Sequence, residues 1–497
     1  MRRASALSSN VNSTFDPIAG RILSRLGDVA LSSWGAYRSL FAPVFSTRTR
    51  DWVSRTRAAA AFYNARRTVP AYQAFLREHG AFDVERFEDI PPMDKAGYIK
   101  RWPIEQLCQG GRLPTRGAVI DESSGSSGQA SNWVRGPSER AAAKRLLQFA
   151  TRSAFGDEPF VMLNAFALGP WATGMNVSMS LVDLCVLKSI GPDVAKVIGT
   201  LKLLGPKYRY VIAGYPPFLK VLVDSADIDW SEYNVCAVVG GEGMSQPLRA
   251  ALNRRFRKTI SSFGASDLEI NIAVETDFTI ALREALASND GLAEALYGRE
   301  PLPMVFQYDP LNYHIESDAD RNLLVTINRL ENVSPRIRYN IHDRGLVRSA
   351  QEVTNALAKL GVNIPPPVVD LPMLFHWGRQ DNAVGFYGCK ITPEDIQHVI
   401  LRVAALGERV TNFALHPYED ADANKCVEIW FEVSDDGDTD VGQLREAVLA
   451  ELGAVNQDFR ESIKMVPPAR RPMVKLFRQG QSPFPAQDIR LKRQYIL

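Results

Sequence analysis

Apolar positions near the start of the chain recur at helical spacing. From Asp16 to about Leu76 they alternate with Arg-rich polar faces, as in Asp51 to Arg67, which predicts helices interrupted at Pro70. The segment Ile90-Pro91-Pro92-Met93-Asp94-Lys95 reads as a rigid extended turn, since two prolines fix φ, and Asp94 is placed to cap a following helix. From Arg116 onward short apolar runs alternate with helical stretches. Phe160 to Leu163, Tyr210 to Ala213 and Val235 to Val239 are predicted strands buried on both faces, with amphipathic helices such as Ser138 to Arg152 between them. This βαβ rhythm predicts an α/β body with mainly parallel sheets flanked by helices.

The pattern changes after Arg379. A Gly-punctuated, hairpin-like stretch (Ala383 to Ile391) precedes a helix opened by Thr392-Pro393-Glu394, and a helix is predicted near Val441 to Leu452. Between them Val427, Ile429, Phe431 and Val433 alternate with Glu428, Trp430 and Glu432, the pattern of a half-solvated antiparallel strand. The pattern predicts a large α/β body followed, across a short link, by a small α+β domain from about residue 382. No internal repeat or low-complexity tract occurs.

Composition narrows the class. The 497 residues are 45% hydrophobic, enough to bury a core without covalent staples. Lys plus Arg number 58 against 56 acids, and a net charge of +2 offers no global field for nucleic acid or an anionic membrane. Any anion must be held locally. The cysteines Cys108, Cys185, Cys236, Cys389 and Cys426 lie far apart with no C-x-x-C pair, against a disulfide framework or structural zinc and in keeping with a reducing compartment. The basic Met1-Arg2-Arg3 leads into polar Asn10 to Ser13, and no apolar run reaches the ~18–20 residues of a membrane span. A cytoplasmic enzyme is expected.

Five segments can carry chemistry. In Ser123-Ser124-Gly125-Ser126-Ser127-Gly128, backbone N–H groups and hydroxyls can cradle an anion such as a nucleoside phosphate; a flexible loop or linker has the same composition. It lacks the G-K-[ST] ending of a Walker A loop. Gly240-Gly241-Glu242-Gly243 follows a predicted strand, where open α/β sheets bind ligands, although an ordinary turn with Glu242 in solvent reads the same way. In Ser261 to Glu269, Phe263 can stack on a base and Asp267 can hold magnesium through oxygen. Asp343, ending Pro335 to Asp343, can accept from a ribose diol, while the neighbouring His342 has no nucleophile context. In Gly378-Arg379-Gln380-Asp381, Arg379 can reach a phosphate or ribose, and Asp381 can act as a hinge.

Together, in this order, these segments resemble the adenylate-forming (acyl-AMP) enzymes, in particular the phenylacetate–coenzyme A ligase and coenzyme F390 synthetase branch. Val69-Pro70-Ala71-Tyr72 and Ile90 to Lys95 match that branch's V-P-x-Y and L-P-x-x-x-K segments. Ser123 to Gly128 looks like its phosphate loop, Gly240 to Gly243 its G-A-E-P segment, and Phe263 to Asp267 its Y-G-x-[ST]-E motif. Arg338 to Asp343 looks like R-Y-x-x-x-D, Gly378 to Asn382 like G-R-x-D-D, and Lys390 to Gln397 like N-V-x-P-x-x-I-E. The likeness runs from about residue 60 onward, which implies a helical N-terminal extension over residues 1–60 with no assigned role, a large domain over 61–380 and a small mobile domain over 381–497.

The resemblance implies that ATP phosphates are held by Ser123, Ser124, Gly125, Ser126, Ser127 and Gly128. It implies adenine flanked by Gly241 and Glu242 and stacked on Phe263, ribose held by Asp343 and Arg379, Ser266 near the α-phosphate, and Mg2+ on Asp267. A small-molecule carboxylic acid would become an acyl-adenylate. Rotation about Asp381 would then precede transfer to coenzyme A, a carrier-protein thiol or an amine, the acceptor being left open. Phe166, Trp171, Met175 and Tyr215 fall on segments that line the acyl pocket by analogy, although core packing explains each as well. The chain departs from the family where Gln129 replaces a basic residue after the loop and where Asp267 replaces Glu, with Glu269 as a substitute. The C-terminal G-K lysine has no clean match; Lys492 is the first candidate and Arg490 the second. Those departures keep a second reading open, a nucleotide-binding scaffold or regulatory subunit without efficient adenylation. No oligomeric state follows, and a homodimer is allowed.

Overall fold

Strands β1 (Val119–Glu122) and β2 (Asn132–Arg135) pair antiparallel, with Glu122 opposite Asn132, so the Ser/Gly segment connects two paired strands. The protein is represented by a computed structural model that describes residues 22–23, 33–40, 47–122, 131–225, 227–379, 383–434, 439–478, 484 and 496.

The continuous apolar runs lie toward one end of an eleven-stranded sheet. β3 (Val161–Asn164), β4 (Val186–Ser189), β5 (Arg209–Gly214), β6 (Asn234–Gly240) and β7 (Lys258–Phe263) are all parallel, in the order β4-β3-β5-β6-β7. The expected helix appears as Pro137–Phe155, started by Pro137 and by Glu139 accepting from Gly136 N–H at 3.3 Å. Beyond β7 the sheet continues antiparallel. β8 (Ala273–Val274) and β9 (Met304–Tyr308) are followed in space by a meander built from β10 (Tyr313–Ser317), β11 (Asn322–Ile327), β12 (Tyr339–Arg348) and β13 (Met373–Arg379), in the order β8-β9-β13-β12-β11-β10.

The division at residue 60 falls inside one continuous helix, Thr47–Thr68, which packs against β10 and β11. Its Arg57 is buried and donates Nε to Leu311 O at 2.8 Å, while Ser54 meets His314 Nδ1 at 3.1 Å. The helix expected after Asp94 does not form. Asp94 Oδ1 accepts from Gly97 N–H at 2.5 Å and the chain makes only turns and a short 3-10 turn, Ile99–Arg101. Pro103 holds Trp102 extended, which leaves no room for an α-helix.

Residues 384–474 gather a buried cluster of their own around Phe386, Ile391, Phe431 and Leu452. Hairpin strands β14 (Val384–Phe386) and β15 (Cys389–Ile391) lead into the helix Pro393–Arg402, capped by Thr392. β16 (Val410–Glu419), β17 (Lys425–Val433) and β18 (Met473–Arg478) form a second sheet. The half-solvated expectation for β17 is corrected: it is the central strand, and Glu428, Trp430 and Glu432 are all buried. Their polar atoms are satisfied locally. Glu428 accepts from Trp430 Nε1 and Lys475 Nζ, both at 2.8 Å, Glu432 accepts from Thr411 Oγ1 at 2.7 Å, and His416 stacks on Trp430 at 4.3 Å. Among the described residues no helix is long and apolar enough to cross a membrane.

Candidate nucleotide site

The candidate residues collect at the carboxyl ends of β6 and β7 and on the β12–β13 ladder. β7 ends in Phe263, and Gly264 lets the loop fold back tightly: a Cβ there would lie 2.3 Å from the Ile270 backbone. Asp343 on β12 stands opposite Arg379 on β13, and a bulge between Arg344 and Gly345 sets His376 opposite Gly345. The result is a tight constellation. His376 Nε2 lies 2.8 Å from Asp343 Oδ2, Arg379 Nε lies 3.4 Å from Asp343 Oδ1, and the His376 ring lies 4.4 Å from the Phe263 ring. Burial alone would raise the Asp343 pKa. The His376 hydrogen bond and the charges of His376, Arg379 and Lys390 outweigh it and hold this carboxyl below the usual range. Asp343 Oδ1 is buried without a hydrogen-bond partner.

Phe263, Asp343 and Arg379 are thus brought together, joined by His376, a residue that sequence reasoning missed. Its contact depends on strand register, which no local pattern announces. The neighbouring His342 is half exposed and reaches Asp94 Oδ2 at 3.4 Å instead.

Ser266 and Asp267 occupy the loop after β7 but face other partners. Arg135 Nη2 donates to Ser266 O at 2.6 Å. Asp267 is buried, with Lys95 Nζ 3.4 Å from Oδ1 and the Tyr339 hydroxyl 3.0 Å from Oδ2. The Lys95 turn is itself fastened to β12: Arg338 Nη1 donates to Glu88 O and Ile90 O, and Asn340 N–H donates to Met93 O at 2.8 Å. Beneath lies a buried charge cluster in which Arg135 approaches Asp121 (3.5 Å) and Glu139 (3.3 Å), while Glu269 pairs with Arg329 and accepts from Tyr313. Burial would raise the Glu269 pKa, but Arg329 holds it down. Beside this cluster a cavity of about 300 Å³ is lined by Asp121, Arg135, Asn176, Met179, Ser266 and Glu269.

Among the described residues no three or more His, Cys, Asp or Glu converge on one point as metal ligands. Asp267, the magnesium candidate, already meets a lysine and a tyrosine, so its oxygens do not fit a preformed metal site, and Glu269 is closed by Arg329.

Gly241 and Glu242 form a different junction. The Glu242 side chain is buried against residues 388–425, where its Oε1 accepts from Gly388 N–H at 2.5 Å and its Oε2 from Lys425 Nζ at 2.9 Å. Gly241 (φ +80°) and Gly388 (φ +87°) both turn toward Tyr215, whose ring atoms would lie 2.9 Å and 2.6 Å from Cβ atoms built on them. Tyr215 also packs edge-on against buried Phe166 at 5.3 Å, Trp171 Nε1 donates to Asp458 at 3.2 Å, and Met175 is exposed. Ser123, Ser124, Gly125, Ser126, Ser127, Gly128, Asp381, Arg490 and Lys492 lie outside the described residues.

A search of solved structures finds the same architecture in 2-hydroxyisobutyryl-CoA ligase. Its thioesterification-state complex with 2-HIB-AMP and CoA matches with a TM-score of 0.60 over 91% of this chain and 90% of that one, at 14% identity. The fold is that of the adenylate-forming ligases. The same ligase in its postadenylation state with R3-HIB-AMP gives a TM-score of 0.53 at 13% identity, covering 92% of this chain and 93% of that one. Its open conformation with 2-HIB-AMP and CoA gives 0.53 at 12% identity, covering 91% and 92%. Of these three the thioesterification state superposes best on this adenylate-forming fold. No family model matches the chain, and no curated protein matches it in sequence.

Proposed function

We propose that this protein is an ATP-dependent ligase that converts a small-molecule carboxylic acid to its acyl-adenylate, releasing pyrophosphate, and then passes the acyl group to a thiol of coenzyme A or a carrier protein, or to an amine. The observation that carries this reading is Asp343, a buried carboxylate whose Oδ1 stands 3.4 Å from Arg379 Nε but makes no hydrogen bond, joined through His376 to Phe263 in an adenylate-forming fold. A buried acceptor without a hydrogen bond is costly, and a ribose hydroxyl would donate one. Phe263, backed by His376, would meet the base, and Arg379 would stand at the ribose.

In the first half-reaction an oxygen of the acid forms a bond to the α-phosphorus, and the bond to the pyrophosphate oxygen breaks. The protein's part is positioning and charge neutralisation. Ser123 to Gly128 would cradle the phosphates, Ser266 would lie near the α-phosphate, and Lys492 or Arg490 would supply the C-terminal cation. Magnesium at Asp267 would compete with Lys95 and Tyr339 for the carboxylate. The finer placement in the phenylacetate–coenzyme A ligase and F390 synthetase branch draws support from the fastening of the Ile90 to Lys95 turn to Arg338 and Asn340. The better match to a thioesterification state supports a docked arrangement suited to acyl transfer after movement about Asp381. Cysteines that are free thiols support a cytoplasmic setting.

ATP–pyrophosphate exchange against a panel of carboxylic acids, followed by coenzyme A, amines and carrier protein in turn, tests this reading. Asp343→Ala should abolish exchange while leaving the circular dichroism unchanged; wild-type exchange in that variant refutes the ribose assignment. A second reading, a nucleotide-binding scaffold, is favoured by the engagement of Asp267 with Lys95 and of Glu242 with Lys425. ATP binding without exchange for any acid would select it.

A further inference from the structure

Asp343 can turn about its terminal torsion, which is broad and two-fold for a carboxylate, and Arg379 and Lys390 both attract it. Arg379 Nε already stands 3.4 Å from Oδ1, in ion-pair range but without a hydrogen bond; left to those cations, the carboxylate would turn until that contact closed the oxygen that a sugar hydroxyl needs. His376 prevents this. It lies one bulge away on β13, its side chain is 13% exposed, and its Nε2 reaches Oδ2 at 2.8 Å. An ionised carboxylate only accepts, so Nε2 carries the hydrogen. The same ring packs on Phe263 at 4.4 Å and on Phe306 at 6.2 Å, so it cannot follow the carboxylate if that group rotates.

We infer that His376 is a positioning residue for nucleotide recognition, clamping Asp343 by one oxygen so that the other stays open to a ribose diol while the same ring backs the base platform Phe263. This inference rests on the nucleotide reading above. It assigns His376 two separable tasks, a hydrogen-bond donor to Asp343 and a flat spacer behind Phe263.

The test is calorimetric binding of ATP and of 2′,3′-dideoxy-ATP to the full chain in wild type, H376F and H376Q. The wild type should prefer ATP by roughly tenfold, the scale of one charge-assisted hydrogen bond. H376F, which keeps a ring but no donor, should lose that preference while binding dideoxy-ATP within about threefold of wild type. H376Q, which keeps a donor but no ring, should retain the preference and bind both nucleotides more weakly. If H376F proves misfolded by circular dichroism, H376M removes the donor in its place and is read in the same way. A wild-type preference in the donor-less variant overturns the role of His376, as does loss of preference in H376Q. A wild type that binds both nucleotides equally overturns the ribose assignment itself, a distinguishable failure.

Discussion

Glu242 ties the turn after β6 to the β14–β15 hairpin and to Lys425, and the strength of that tie can be measured. Its side chain is 5% exposed and that of Lys425 is 23% exposed, so the pair lies between a surface ion pair, worth about 0–1 kcal/mol, and a fully buried one, whose disruption costs about 3–5 kcal/mol. A value near 2 kcal/mol is expected. Glu242→Gln removes the charge but keeps an oxygen that can accept from Gly388 N–H, which isolates the ion pair from the backbone contact. Native-state hydrogen exchange over residues 384–391 reads the opening of the hairpin directly. Loss of about 2 kcal/mol corresponds to roughly thirtyfold faster exchange, and Lys425→Met should produce at least that change, since it also removes the Nζ bond to Gly243 O at 3.0 Å. The double variant should be little worse than either single one, giving a coupling of about 1–2 kcal/mol. A coupling below about 0.5 kcal/mol, or unchanged exchange in both single variants, would refute the latch.

Gly388→Ala should loosen the same hairpin by at least about 1–2 kcal/mol, the left-handed backbone penalty, because φ is +87° and the new Cβ would also meet Tyr215; Tyr215→Leu should relieve only the steric part in the same exchange assay. Burial, together with the charges of Arg55 and Arg338, lowers the His314 pKa to about 3. The unfolded chain therefore binds a proton below about pH 6.5 that the fold refuses, and stability falls as pH drops from there toward the folded value. His314→Gln should flatten the loss between pH 7 and pH 5 by about 2 kcal/mol in urea unfolding; an unchanged pH slope rules this out. Lys492→Ala and Arg490→Ala, compared in pyrophosphate exchange alone, should differ by at least about tenfold if one of them is the cation, and full activity in both sinks the tail assignment.

The parallel half of the sheet was legible because β3, β5 and β6 are short uninterrupted apolar runs, which only strands buried on both faces require. The antiparallel half was not, since β8 has only two residues and β12 mixes buried with half-exposed positions. β17 was misjudged for a physical reason: glutamates satisfied by Trp430, Lys475 and Thr411 sit inside a sheet while looking, in sequence, like a solvated face. Phe263, Asp343 and Arg379 stood out as candidates from their order along the chain, but the hydrogen bond joining His376 to Asp343 follows from a bulge between Arg344 and Gly345. The partners of Asp267 and Glu242 were equally hidden, because Lys95 and Lys425 are each more than 150 residues away in sequence.

Tyr215 has a consequence of its own. One phenol ring fills the space above two left-handed glycines, Gly241 from the turn after β6 and Gly388 from the hairpin. Two parts of the chain thereby share a single reporter. A ligand entering the β6 turn that shifts this ring would change how firmly the hairpin packs on it, and the packed hairpin would change the affinity for that ligand by the same factor. Reciprocity of this kind needs no long-range pathway. A probe of the Tyr215 environment would read occupancy of the turn and packing of the hairpin as one signal.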